Sequence, residues 1–206
     1  MTTTRRGMRE ARRVRSRRVR AVLAGGLVLG VGAAGTLAAW NDSEHTAATF
    51  TAGRFGVVGS TDGSSFADHA TSGAAASLAF TAPVGAMAPG STVYALFAVK
   101  TVSPSVAGQV QLVSDNAGIT GLGPSLRYSV SVISGTTCNS TTFAAGTLVV
   151  PATSLLTANG TGPQALSADG GSTVNYCFAV TLPADADNGV QGLTATAKWV
   201  FQAVST

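Results

Sequence analysis

Past its first forty residues this chain has little of what enzyme chemistry draws on. Two histidines, His45 and His69, and eight carboxylates are scattered over the remainder. There is no HExxH and no other histidine pair at ligand spacing on a helix, so zinc hydrolysis lacks its ligands and its general base. Neither histidine lies near Cys138 or Cys177 in sequence, which denies a catalytic thiol its usual partner. Cations are equally scarce. Arg54, Lys100, Arg127 and Lys198 stand against eight acidic residues, a net charge of −4 for this part, which leaves no electrostatic footprint for nucleic acid. The expectation is therefore a domain with no catalytic, metal or cofactor site, and with His45 and His69 as solvated surface residues.

What cationic charge there is sits at the start. Nine of the thirteen basic residues are arginines between Arg5 and Arg20, followed by an uncharged apolar run over 21–39 that ends on Ala38-Ala39 before Trp40. This is the layout of an export signal, residues 1–39, with a basic region over 1–20 and a hydrophobic one over 21–39. Cleavage falls between Ala39 and Trp40. Retention as an anchor is the alternative, because the run is long for a signal and short for a span, and its five glycines dilute it. Either way the arginines hold the N-terminus inside and send the domain across, so the membrane is touched only through the leader. Gly30-Val-Gly32-Ala-Ala-Gly35 matches GxGxxG, but no strand precedes it and no acidic residue follows about twenty positions on.

Residues 40–206 read as strands. Leu126, Tyr128, Val130 and Val132 alternate with Arg127, Ser129 and Ser131; Val174, Tyr176, Phe178, Val180 and Leu182 alternate with a more polar set that includes Cys177. Over 193–203, Leu193, Ala195, Ala197, Trp199, Phe201 and Ala203 form one face and Lys198 falls on the other. Weaker strand patterns lie at 49–58, 76–80, 92–102, 108–114 and 143–150. Turn-rich segments at 59–63, 83–90, 114–124, 158–163, 168–171 and 183–192 separate them. About eight short strands at this spacing read as a sandwich or barrel, and predict an all-β fold, an antiparallel two-sheet sandwich of jelly-roll or Ig-like type. Its length suffices to bury roughly 70% of the unfolded chain's surface. Asp185-Ala-Asp187-Asn188-Gly189 hints at a calcium loop. It is one residue too short before the glycine, with Thr196 in place of the closing Glu, and reads as a turn.

On an exported chain, two cysteines are expected to pair. Cys177 points to the face opposite Tyr176 and Phe178, so a Cys138–Cys177 bridge would pin the 135–142 loop to the outside of a strand.

Trp40-Asn41-Asp42-Ser43-Glu44 after two alanines, followed by Thr49-Phe50-Thr51-Ala52-Gly53-Arg54-Phe55, resembles the start of the mature chain in the TasA/camelysin family. The end of the chain, Tyr176-Cys177-Phe178 through Pro183 and Asp185 to Lys198-Trp199-Val200-Phe201, is similar to actinobacterial members with SipW-type signals. The resemblance implies a jelly-roll sandwich, processing by a SipW-type signal peptidase, and a secreted subunit of a biofilm-matrix or cell-surface fibre. It implies self-association or pairing with related matrix proteins through an N-terminal donor strand within 40–58, anchored by Trp40, Phe50 and Phe55, which adds to an open sheet edge. A surface adhesion module, with Phe66 near Asp68 and His69 as its best loop cluster, is the alternative. The metalloprotease activity attached to camelysin finds no ligand set in this chain.

Overall fold

The computed structural model describes residues 4–35, 42–81 and 84–206, in two compact units, Met1–Phe50 and Thr51–Thr206. In the first, the helix α1 (Thr4–Gly35) carries the arginines and the apolar run as far as Gly35 on one continuous element. Among the described residues no helix is long and apolar enough to cross a membrane, in keeping with glycines that interrupt the run. Ala39 and Trp40, the expected cleavage pair, lie outside the described residues. Residues 42–50 are exposed and form neither helix nor strand.

Among the described residues the second unit has eight strands: β1 (Val57–Ser60), β2 (Thr92–Thr101), β3 (Gly108–Ser114), β4 (Arg127–Ile133), β5 (Thr147–Leu155), β6 (Gln164–Leu166), β7 (Thr173–Thr181) and β8 (Trp199–Ser205). They form two antiparallel sheets, ordered β1-β2-β7-β4-β5 and β6-β3-β8. The inward faces are those set by the alternation. Tyr128, Val130, Val174, Tyr176, Phe178 and Val180 are buried in one core between the sheets, with Trp199, Phe201 and Ala203 packed against it from β8. A jelly roll is a long antiparallel ribbon wrapped on itself, in which strand two pairs seven, three pairs six, four pairs five, and one pairs eight. Here β2 pairs β7, β3 pairs β6 and β4 pairs β5. The fourth pairing does not form, because β1 adds to β2 in the other sheet.

The central strands of the larger sheet are covered on both sides. Their outer face carries a second, smaller core of Leu96, Ile133, Cys138 and Cys177, with Tyr94 and Phe143 against it. Phe143 comes from the short helix α2 (Ser140–Ala145), which replaces the first part of the strand expected over 143–150. Asn139 caps it, accepting from the Thr142 N–H while Thr142 Oγ1 accepts from the Asn139 N–H, and this reciprocal pair outweighs the β pattern of a six-residue stretch. The predicted strand over 49–58 is shortened to β1. That over 76–80 is no strand, and β6 is one that the alternation does not reveal.

The strand expected over 193–203 starts only at Trp199, and Asn116 is the reason. Almost fully buried, it accepts from the Lys198 N–H and donates to the carbonyls of Lys198 and Leu156, so a side chain takes over where β3 ends at Ser114. Side-chain bonds of this kind satisfy backbone groups that have run out of ladder.

Candidate functional site

Three of the four sheet edges are blunted. β1 has four residues and β6 three; β5 carries Pro151 and meets β4 through two register shifts. Short strands, prolines and bulges are how sheets avoid edge-to-edge pairing. The edge of β8 has none of these. It runs seven residues, Trp-Val-Phe-Gln-Ala-Val-Ser, without charge, proline or register shift.

Which backbone groups face that edge follows from the ladder. The Asp115 N–H donates to the Lys198 carbonyl and the Thr206 N–H to the Ala107 carbonyl, so even-numbered residues of this stretch face β3. In an antiparallel pair the intervening residues point the other way. The N–H and C=O groups of Trp199, Phe201, Ala203 and Ser205 therefore face outward from the sheet, and no described strand pairs with them.

Beside this edge, between the sheets, lies a cavity of about 1180 Å³. Its apolar floor includes Val99 of β2, Phe178 and Val180 of β7, and Trp199 and Phe201 of β8. Aromatic contacts make the floor rigid. Phe201 lies 4.8 Å from both Phe97 and Tyr176, and Trp199 lies 5.0 Å from Phe178 and 5.6 Å from Tyr128, centroid to centroid. Such pairs contribute about 0.5–1.5 kcal/mol each beyond burial. Burial pushes the Tyr128 hydroxyl up to about 12 and that of Tyr176 further in the same direction. Tyr128 donates to the Ala158 carbonyl; Tyr176 has no partner among the described residues.

The residues singled out in sequence fall in different places. Cys138 and Cys177 are bonded, with their Cα atoms 5.3 Å apart, on the outer face of β7 and under α2, the face of the sheet opposite the apolar floor. The bridge pins the 135–142 loop as expected, and a disulfide of this kind fits an oxidising compartment. His45 is exposed. His69 is not the solvated residue expected: it is half-buried, its ring 6.3 Å from that of Phe97, because the chain after β1 folds in over the cavity. Phe66 lies under the Lys100 ammonium, 4.0 Å from the ring centroid. The Asp187 carboxylate accepts from the Gly189 N–H and closes the turn that the sequence predicts. Among the described residues no three His, Cys, Asp or Glu side chains converge as a metal site would require.

Of the three donor-strand anchors, Trp40 lies outside the described residues and Phe50 is exposed. Phe55 is half-buried in its own domain. Its ring occupies the space a Cβ on Gly108 would need, while Arg54 and Gly56 accept from the N–H groups of Val106 and Val102. The expected donor range 40–58 is thus cut back at its C-terminal end, since Phe55 packs on its own domain and Val57 and Val58 pair with β2. Only the tertiary contact at Gly108 distinguishes Phe55 from a free anchor; no local pattern around it does.

Compared with models of known protein families and with curated protein sequences, the chain matches none.

Proposed function

We propose that this protein is a secreted structural subunit that assembles into a matrix or cell-surface fibre by strand addition, as its resemblance to the TasA/camelysin family implies. One observation carries the reading: the jelly-roll pairing is complete except at β8, where a long uncharged edge borders an apolar cavity. An extended segment laid on that edge gains main-chain hydrogen bonds from the outward groups of Trp199, Phe201, Ala203 and Ser205. Its alternate side chains enter the cavity.

The segment we assign to this role is 40–53 of a second copy, with Trp40 and Phe50 as its anchoring side chains. Chain direction favours a second copy. Phe55 sits over Gly108, which pairs with Ser205 at the C-terminal end of β8. Residues preceding it, laid straight back along the edge in the same molecule, would run parallel to β8, whereas every strand pair described in the domain is antiparallel. A neighbour's segment is free to run antiparallel, the slightly more stable pairing. Cleavage between Ala39 and Trp40 by a SipW-type peptidase would free the donor, and the Cys138–Cys177 bridge agrees with assembly outside the cell.

The test is electron microscopy of material secreted by a bacterial host expressing the full chain, with N-terminal sequencing of the same sample. Fibres whose subunits begin at Trp40 are expected. Ala203→Pro removes one outward N–H and leaves the β3–β8 ladder intact, since proline is tolerated on an edge; it should be secreted and folded but form no fibres. Fibres from Ala203→Pro indistinguishable from those of the parent would refute strand addition at β8.

A further inference from the structure

One wall of the cavity beside β8 is a segment of the chain itself. Residues 76–80 have the burial pattern of a strand, with Ala76, Leu78 and Phe80 half-buried against the core and Ser77 and Ala79 exposed. Yet this segment belongs to no sheet. None of the backbone groups of residues 75–80 has a hydrogen bond among the described residues, and the segment is tied down at Thr81, whose N–H donates to the Tyr94 carbonyl. That bond sits on the stretch of β2 that β1, pairing only with 98–101, leaves uncovered. The segment therefore runs from the edge of the larger sheet over the cavity whose other border is β8. Short 3-10 turns at Ser72–Ala74 and Val84–Ala86 flank it, each containing a glycine with open space around it.

We propose that residues 75–80 are a built-in placeholder, which covers the cavity in the free subunit and is displaced when a strand enters, so that it sets the rate of assembly. The inference rests on the strand-addition reading and adds regulation to the same site. The physical asymmetry is between side chains and backbone. The placeholder supplies three apolar side chains to the cavity and leaves its peptide groups to water, which shields the core of a lone subunit. An entering strand supplies apolar side chains together with a ladder to β8, which the placeholder cannot match. A placeholder held by side chains alone is displaced without breaking a ladder.

The experiment weakens the side-chain hold in the full chain produced by a secreting host. Leu78→Ser and Phe80→Ser are compared with Ser77→Asp, which alters the outward side of the same segment; Leu78→Ala is the milder variant if Leu78→Ser is not recovered folded. Two quantities are read on secreted protein with a native far-UV spectrum: binding of anilinonaphthalene sulfonate by the monomer, and the rate of fibre growth followed by light scattering. Opening the competent state raises both in proportion to its population, by about tenfold for an inward variant, with Ser77→Asp unchanged. Dye binding that does not rise in folded Leu78 and Phe80 variants overturns the placeholder. So does a rise in dye binding with no change in growth rate, and strand addition would stand. Failure of parent and variants alike to form fibres refutes the strand-addition reading, and the placeholder with it.

Discussion

Phe201 of β8 stacks on Phe97 of β2 with ring centroids 4.8 Å apart and planes inclined by 23°. This pair joins the edge strand of the smaller sheet to the larger sheet where the cavity opens, so the edge stays rigid although one side of it has no neighbour. Phe201→Ala removes the stack and its contacts with Tyr176 and Phe178. We expect a loss of about 3 kcal/mol, the low end for a core phenylalanine because Phe201 is only half-buried. The midpoint of urea unfolding measures it.

The two faces of β8 make opposite predictions for proline. The N–H of Gln202 faces Gln111 of β3 and that of Ala203 faces outward. Gln202→Pro should destabilise the domain by about 3 kcal/mol or prevent its recovery, whereas Ala203→Pro should shift the unfolding midpoint little. Equal losses from the two would show that the assigned phase of the ladder is wrong.

The Cys138–Cys177 bridge closes a separation of 39 residues and holds α2 over Leu96 and Ile133. Replacing both cysteines by alanine should cost about 4 kcal/mol in the chain-entropy account of a loop this long. The main core lies on the opposite face of the larger sheet, so hydrogen exchange should rise first in 134–146 and later in β7. Uniform loss of protection throughout the domain would contradict two separately packed faces.

Alkaline pH should unfold the protein through its buried phenols. A tyrosine with a raised folded-state pKa contributes stability that is complete below its unfolded value, about 10, and is lost as pH rises toward the folded value. For Tyr128 that window runs from about 10 to about 12, and Tyr176 is shifted the same way by burial. Tyrosinate absorbance from these two residues should appear together with the loss of tertiary structure. A smooth titration near pH 10 in a protein that keeps its near-UV spectrum would show that the rings are accessible.

Much of the fold is legible along the chain. β3 occupies 108–114 as its pattern predicts, and β7 buries the residues that its alternation assigns inward. The misses have local causes. α2 is too short to display a helical period, although the Asn139–Thr142 cap is visible in the residues themselves. β6 is three residues long and has no period at all. Residues 76–80 show the reverse: alternation reports which side chains are buried and says nothing of whether the backbone is paired. The candidate site is the least legible part, because an open edge is defined by what does not lie beside it.

By itself, the sequence determined the strand class, the inward faces of β4, β7 and β8, the identity of the cysteine pair and the separation of a basic N-terminal segment from an acidic domain. All of these depend on residue type and on spacings of a few positions. Only the tertiary structure decided that β1 joins β2 and not β8, that Phe55 packs over Gly108, and that His69 turns in toward Phe97. Pairing partners lie tens of residues apart, and the choice among strands of similar pattern is made by how the whole set of faces packs, which no short window of residues contains.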